Sequence, residues 1–296
     1  MIGSSSTILA VGAAGKFAGL VVPALAERGV KVRGLVRDAR QGEAVRKLGA
    51  TEIAIGDLRD GASLDAALKG VDAVFYIAPA FLPDEAEIGK VMVDSAKRAG
   101  VRRFVFSSVI HPVLSALGNH AQKAPVEEAL LTSGMEYTFL HPTVFFQNFT
   151  ATWPKTVETG VLAEPWSADT RFSRVDYRDV AETAAIALTE DRLLYGTFEL
   201  CAEGWLDRKD VAAIIGEVLG RSIKAERIDP KVAGAGLGAP ALKKMFDWYD
   251  KRGLMGSALT LRAILGREPK TLHTFFEELN AGGVGEDESG GSNVLA

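Results

Sequence analysis

Residues 7 to 140 alternate between short apolar runs and longer segments in which apolar residues recur every three or four positions. Short runs of this kind are typical of strands, and the longer recurrence is typical of helices with one buried face. The pattern predicts strands over 7–11, 31–36, 52–56, 72–77, 103–106 and 137–140. It predicts helices over 16–28, 39–48, 62–68, 85–99 and 117–133, and a further apolar helix from about 144.

Strands that alternate with helices form a parallel sheet, and such sheets bind ligands beyond the carboxyl ends of their strands. We therefore predict an α/β fold with a ligand site along this edge. The residues that the pattern places there are Gly12, Gly15, Arg37, Asp57, Ala78, Pro79, Ser107 and Ser108.

The turn after the first strand has the spacing G-x-x-G-x-x-x-G and leads directly into a helix. Glycine lets a backbone approach a ligand closely, and the first N–H groups of a helix favour phosphate. The turn therefore predicts a dinucleotide site, with contacts from Gly12, Ala14, Gly15, Lys16 and Phe17. A glycine turn present for steric reasons, with Lys16 as an ordinary exposed lysine, is the alternative interpretation.

Arg37 stands where the second strand ends. An acidic residue at this position holds the ribose of NAD, whereas arginine suits the 2′-phosphate of NADP. We therefore expect NADP(H) to be preferred over NAD(H). A surface arginine, with the neighbouring Asp38 holding the ribose hydroxyls, is the other interpretation.

The ends of the next three strands supply the remaining predicted cofactor contacts. Asp57, with Leu58 beside it, could accept a hydrogen bond from the adenine amino group, or could equally be a turn or capping residue. Ala78 and Pro79 offer small surfaces that a flat ribose or nicotinamide tolerates, and Ser107 ends the fifth strand.

Composition excludes several function classes. The chain has 296 residues and a net charge of −4, with scattered basic residues, which argues against direct nucleic-acid binding. Cys201 is its single cysteine, and its four histidines lack metal-ligand spacing, so no metal site is expected. No apolar run reaches membrane-spanning length, and no basic segment precedes the first strand, so we expect a cytoplasmic protein without membrane contact.

Over residues 5–279 the chain resembles an NmrA-like member of the atypical short-chain dehydrogenase/reductases. The matching motifs are 12–15, 35–37, 56–58, 104–108, Lys123 before 133–138, 142–148, 175–180 and 211–220. The resemblance implies a Rossmann-type doubly wound sheet over 1–150, a small C-terminal α/β substrate lobe mainly over 151–280 and interleaved with the first domain, and a preference for NADP(H). The Gly-, Ser- and acid-rich segment 281–296 is expected to be a flexible tail.

Typical members of this superfamily use a Tyr-x-x-x-Lys pair, in which tyrosine donates a proton and lysine holds the nicotinamide ribose. Lys123 matches the lysine, but Asn119 stands at the tyrosine position. Because asparagine cannot donate a proton at neutral pH, alcohol and ketone chemistry is in doubt. Lys123 is expected to hold the ribose, with proton donation as a second role, unless it is an ordinary exposed lysine. Asn148 is placed near the cofactor by the same resemblance.

With asparagine in place of the tyrosine, the expected substrate is one that accepts hydride without a dedicated proton donor. Quinones, dyes and activated double bonds are substrates of this kind. His111 follows the fifth strand and could meet substrate, although an ordinary loop histidine is the stronger interpretation. Phe246 and Tyr249 could wall an apolar pocket, against the alternative that they pack in the core.

Two functions remain open from the sequence. One is an NADPH-dependent reductase of a quinone-like or conjugated apolar small molecule. The other is an NADP(H) sensor without turnover that regulates a protein partner. A homodimer is possible under either function.

Overall fold

The computed structural model describes residues 3, 5–230 and 239–282. From residue 283 onward, the predicted tail lies outside the described residues. The chain forms two compact units. The first comprises Met1–Val113, His120–His141 and Tyr177–Phe198, and the second comprises Leu114–Asn119, Pro142–Asp176 and Glu199–Ala296. The proposed role of the second unit in binding substrate stays a prediction.

A seven-stranded sheet forms the centre of the fold, in the order β10-β6-β5-β4-β1-β2-β3. Its strands are β1 Thr7–Val11, β2 Lys31–Val36, β3 Glu52–Ile55, β4 Ala73–Ile77, β5 Arg103–Ser107, β6 Glu136–Pro142 and β10 Thr197–Leu200. Every pairing from β6 to β3 is parallel. The chain leaves β1 toward β2 and β3, then returns to β4 on the other side, so the switch point lies between β1 and β4.

Smaller strand pairs belong to the rest of the chain. They are β7 Val144–Phe145 with β9 Arg174–Val175, and β8 Val161–Glu164 with β11 Lys224–Arg227, both parallel. The described helices are α1 Ala18–Ala26, α2 Ala39–Lys47, α3 Gly61–Leu68, α4 Glu85–Arg98, α5 Gly118–Ala121, α6 Ala124–Leu131, α7 Trp153–Thr159, α8 Tyr177–Thr189, α9 Arg208–Leu219, α10 Ala239–Tyr249, α11 Leu259–Leu265 and α12 Leu272–Asn280.

Helices cover the sheet, because its central strands are apolar on both sides. The apolar faces of α3, α4 and α6 pack on β1, β4 and β5 through Leu64, Met92 and Val126 among others. Helices α1 and α8 contact each other as well as strands of the sheet. The predicted α/β fold with a Rossmann-type parallel sheet is therefore confirmed.

In the second unit, an aromatic core joins the segment 146–153 to helix α12. Phe146, Phe149 and Trp153 pack against Phe275 and Phe276 of that helix. Helix α9 contributes its own apolar face to the same core.

The predicted single helix over 117–133 is wrong. The structure has the short helix α5, then a break, then α6, and Lys123 is the residue that precedes α6. Pro125 lies in the first turn of α6, where its missing N–H costs nothing, and a proline favours the start of a new helix over the continuation of an old one. Asn119 and Lys123 therefore do not share a face of one helix.

The apolar helix predicted from about residue 144 is also wrong. Val144 and Phe145 form β7, and a 3₁₀-helix then spans Phe146–Ala151. Its apolar residues are buried in the second unit rather than arranged along an α-helical stripe. Phe146 and Phe149 pack against Phe275 and Phe276, and this tertiary packing overrides the apolar periodicity.

Candidate functional site

The glycine turn follows β1 as predicted. Gly12 has a φ of +71°, a backbone conformation that residues with a side chain rarely adopt. The Gly15 N–H donates a hydrogen bond to the Gly12 carbonyl at 2.7 Å. A Cβ on Gly15 would lie 3.0 Å from that carbonyl oxygen. The Ala13 N–H donates to the Leu35 carbonyl at 3.3 Å and so ties the turn to β2. Residues 14–16, which lead from the turn toward α1, are exposed.

Phe17 and Ser107 both contact Tyr177, a residue that the sequence analysis did not identify. The Phe17 ring centroid lies 5.0 Å from that of Tyr177, and the Tyr177 hydroxyl lies 3.1 Å from Ser107 Oγ. Burial raises the pKa of Tyr177, against a smaller opposite effect of the Ser107 hydrogen bond. Tyr177 belongs to the motif over 175–180, which was the available signal. Lys16 is exposed, with its ammonium 5.8 Å from the Phe17 ring centroid.

At the end of β2, Arg37 and Asp38 have different surroundings. The Asp38 carboxylate caps α2, accepting from the N–H groups of Arg40 at 2.9 Å and Gln41 at 3.1 Å. The Arg37 side chain is exposed, and its backbone N–H donates to Gln41 Oε1 at 2.9 Å. Because the cap occupies the Asp38 carboxylate, this arrangement favours Arg37 as the residue available to a ligand.

Asp57 serves the turn after β3. Its carboxylate accepts the N–H of Arg59 at 2.9 Å, and its own N–H donates to Ser63 Oγ at 3.0 Å. The cap of α3 is a different residue, Asp60. Leu58 is half-buried against the core that α3, α4 and α6 form with the sheet. A contact between Asp57 and adenine stays a prediction.

The loop after β4 begins with Ala78, which is buried, and Pro79, which is half-buried. Phe81 within it has a φ of +65°. A residue with a side chain holds this conformation only where its surroundings enforce it. The Phe81 N–H donates to Glu85 Oε2 at 3.1 Å, and this hydrogen bond holds the loop to the first residue of α4.

Lys123, the residue predicted to be catalytic, is buried, with its ammonium bonded to Glu85 Oε1. The interpretation as an exposed lysine is therefore not supported by the structure. Glu85 is fully buried, and burial raises the pKa of its carboxyl, while the charge and the hydrogen bond of Lys123 act in the opposite direction. Glu85 was not identified from the sequence, where its position at the start of a helix was the only local signal.

Gln122, the residue before Lys123, also binds the start of α4. Gln122 Oε1 accepts the N–H of Ala86 at 3.0 Å, and Gln122 Nε2 donates to the Pro83 carbonyl at 3.3 Å. Two consecutive side chains, Gln122 and Lys123, thus bind the start of α4. Further along, Gly89 of α4 packs against Val126 of α6, which allows the two helices to approach closely.

The loop after β5 contains His111, with a φ of +53°. His120 is fully buried and its Nδ1 lies 3.2 Å from the His111 carbonyl oxygen, so Nδ1–H is the donor. Burial lowers the pKa of His120 to about 4. His111 is half-buried, and its contact with substrate stays a prediction.

Glu127 of α6 joins the ends of two strands. Ser108 Oγ donates to Glu127 Oε1, and His141 Nε2 lies 2.9 Å from the same oxygen. Both partners are mostly buried. The arrangement fixes α6, and with it Lys123, against the carboxyl ends of β5 and β6.

Three predicted site residues lie in the second unit. Asn148 is half-buried in the 3₁₀-helix. Phe246 and Tyr249 of α10 are buried, with ring centroids 5.9 and 5.4 Å from that of Trp166. Burial raises the pKa of Tyr249. The two aromatic residues therefore pack in a core, and a contact of any of the three with ligand stays a prediction.

Within the described ranges, no group of His, Cys, Asp or Glu side chains is arranged to hold a metal ion. In the same part of the chain, no helix combines the length and the apolarity needed to cross a bilayer. Cys201 is buried, and burial raises the pKa of its thiol to about 12, which leaves it unreactive.

Comparisons with known proteins agree with the motifs. The profile of the NmrA-like family matches residues 4–279. An NAD(P)H azoreductase of Xenophilus azovorans is 31% identical over 283 residues, which cover 90% of this chain and 96% of the azoreductase.

Two solved structures share the fold. The NADPH-dependent quinone oxidoreductase QOR2 of Escherichia coli, complexed with NADPH, has a TM-score of 0.81 at 24% identity, over 93% of this chain and 99% of that one. NmrA, a negative transcriptional regulator in complex with NADP, has a TM-score of 0.76 at 19% identity, over 94% and 96%. The proteins similar to this chain thus include reductases and a regulator.

Proposed function

Because the chain belongs to the NmrA-like family, we propose that it is an NADP(H)-dependent oxidoreductase that reduces a quinone-like, dye-like or otherwise conjugated apolar small molecule. The observation that carries this proposal is the buried Lys123, which Glu85 holds at the loop after β4 and which α6 holds near the carboxyl ends of β5 and β6. The 31% identity to an NAD(P)H azoreductase over most of both chains supports the same reaction class.

The residues present fit such a cofactor. A Cβ on Gly15 would lie 3.0 Å from the Gly12 carbonyl oxygen, so the tight turn before α1 favours glycine at this position. Helix N-termini of this kind bind the pyrophosphate of dinucleotides. Exposed Arg37 would bind the 2′-phosphate, while Asp57, Leu58, Ala78, Pro79 and Ser107 would border the adenosine and nicotinamide halves.

A nicotinamide bound here would supply hydride from C4. Lys123, which is buried, would hold the nicotinamide ribose and keep water away from this charged contact. Asn119 gives the chain no proton donor at the position of the family tyrosine. The substrate is therefore one whose reduced anion takes its proton from water or from Lys123, as quinones and conjugated dyes do.

The test is NADPH oxidation, followed at the nicotinamide absorbance, with a panel of quinones, enones and azo dyes at saturating cofactor. We expect turnover with some acceptors and lower kcat in Lys123→Ala, which would still bind NADPH. Tight NADPH binding without turnover on the whole panel would contradict the proposal.

A second candidate is a redox sensor that binds NADP(H) without turnover and contacts a protein partner. Asn119 at the tyrosine position favours it, and the fold similarity to a transcriptional regulator is compatible with it. Under this function, cofactor binding would be tight and unaffected by every acceptor, and the oxidised and reduced cofactors would bind with different affinity.

A further inference from the structure

The buried ammonium of Lys123 needs an explanation beyond its proposed contact with a ribose. Removing a charged ammonium from water costs several kcal/mol, and an unpaired buried lysine releases its proton instead. Among the residues that the structure describes, the carboxylate that forms an ion pair with Lys123 is that of Glu85. Glu85 lies 38 positions earlier in the chain, at the start of α4, so the pair is a product of the fold.

We propose that Glu85 is a positioning residue for Lys123, which keeps the ammonium charged and oriented so that its remaining N–H groups bind the nicotinamide ribose. This inference rests on the proposed NADP(H) site. An ammonium has three donors, and Glu85 takes one of them. The other donors stay available only if the side chain is held in one orientation.

The same carboxylate also organises the loop that borders the predicted nicotinamide site. Glu85 Oε2 accepts the Phe81 N–H at 3.1 Å, while Oε1 accepts from Lys123. Phe81 has a φ of +65°, so this hydrogen bond offsets backbone strain in the loop that starts at Ala78. Glu85 therefore fixes two parts of the site at once, the lysine that precedes α6 and the loop after β4.

Two other titratable groups lie within electrostatic reach of the pair. The pKa of Tyr76 is raised mainly by burial and, to a smaller extent, by the charge of Glu85. The charge of Lys123 acts in turn on His120. Burial lowers the pKa of His120 to about 4, and it raises the pKa of Tyr76, so both stay neutral between pH 6 and 9. The charge state of these two neighbours therefore does not change over the pH range of the experiment.

The experiment measures NADPH affinity by fluorescence titration from pH 6 to 9 in the full chain. The variants are Glu85→Gln, Lys123→Met and the double variant. The matched control is Glu87→Gln, which removes an exposed carboxylate from the same helix, where it pairs with Lys90 at 2.9 Å. Glutamine keeps the shape and one acceptor of Glu85 but removes the negative charge that pairs with the Lys123 ammonium.

We expect each single variant to weaken NADPH binding about tenfold at pH 8, and the double variant to be no weaker than Lys123→Met, because the two residues act through one contact. In Glu85→Gln the affinity falls as the pH rises from 7 to 9, since a buried ammonium without a carboxylate partner gives up its proton. The unaltered protein and Glu87→Gln keep their affinity over that range.

A structural role alone would lower the thermal midpoint of Glu85→Gln yet leave its pH profile parallel to that of the unaltered protein. That result, or losses of affinity that add in the double variant, would overturn the positioning role while the cofactor site stands. If the unaltered protein does not bind NADPH, the proposed function falls together with this inference.

Discussion

Gly89 of α4 lies directly against Val126 of α6, and a Cβ added to the glycine would overlap the valine side chain. Gly89 follows Glu85 by about one helical turn, and Val126 follows Lys123 by about one. The close approach of the two helices therefore sets the distance across which the buried ion pair forms. Because Gly89 has no side chain, α4 can come close enough to α6 for Glu85 to pair with Lys123.

Gly89→Ala is expected to destabilise the protein by about 1–3 kcal/mol, the usual cost of overpacking a core. Chemical denaturation measures it. Gly61→Ala, in helix α3 where a Cβ would meet only the far end of Arg98 at 3.8 Å, should be neutral or stabilising. Adding Val126→Ala to Gly89→Ala should recover part of the loss. Equal effects of Gly89→Ala and Gly61→Ala would contradict the packing argument.

Arg37→Ala should weaken NADPH binding by about 1.5–3 kcal/mol, the range of a charge-assisted contact, and leave NADH binding little changed. The control is Arg40→Ala, another exposed arginine on the adjoining helix, whose side chain is 95% exposed. Fluorescence titration with both cofactors gives the comparison. Equal losses for NADPH and NADH would remove the assignment of Arg37 to the 2′-phosphate.

Asp38→Ala separates the two interpretations of this strand end. Because the Asp38 carboxylate caps α2, its loss should lower the free energy of unfolding by about 1 kcal/mol. Both cofactors should bind nearly as before, and Asp38→Ser, which preserves a cap, should restore stability. A loss confined to NADH affinity would instead assign Asp38 to the ribose hydroxyls.

Arg103 binds the end of helix α8 from within the sheet. Its fully buried guanidinium donates to the Glu190 carbonyl at 2.7 Å and to Glu136 at 2.9 Å. Arg103→Met removes the donor of the Glu190 carbonyl and leaves Glu136 to its longer ion pair with Arg102 at 3.6 Å, and it should cost about 3–5 kcal/mol in unfolding free energy. Arg102→Met, at the half-exposed neighbour, should cost under about 1 kcal/mol. Similar losses in the two variants would show that Arg103 does not hold the helix.

His120 should make stability depend on pH. Its pKa is lowered to about 4 in the folded protein, below the value near 6.5 of an unfolded chain. The stabilisation from neutral His120 is thus complete above pH 6.5 and is lost as the pH falls toward 4, by a total on the order of 3 kcal/mol. His120→Gln should flatten this part of the stability curve, whereas His273→Gln, at a half-buried histidine of α12, should not. Parallel curves for the unaltered protein and His120→Gln would contradict the assignment.

The sequence predicted the parallel sheet well, because strand and helix periods are local signals. It failed at 117–133, where Pro125 starts a new helix inside an apolar pattern that looked continuous. It also missed Glu85, because a lysine and a glutamate separated by 38 residues reveal nothing of their contact until α4 and α6 are packed. Tyr177, likewise, becomes a neighbour of Phe17 and Ser107 only in the folded chain.

The most direct test of the proposed reduction is a single turnover without oxygen. Protein loaded with one equivalent of NADPH is mixed rapidly with a quinone, and the nicotinamide absorbance is followed. We predict the loss of one equivalent of NADPH, slower with cofactor deuterated at C4, and a lower rate in Lys123→Ala. NADPH that stays bound and reduced across quinones, enones and azo dyes would contradict the proposed reduction and favour the sensor.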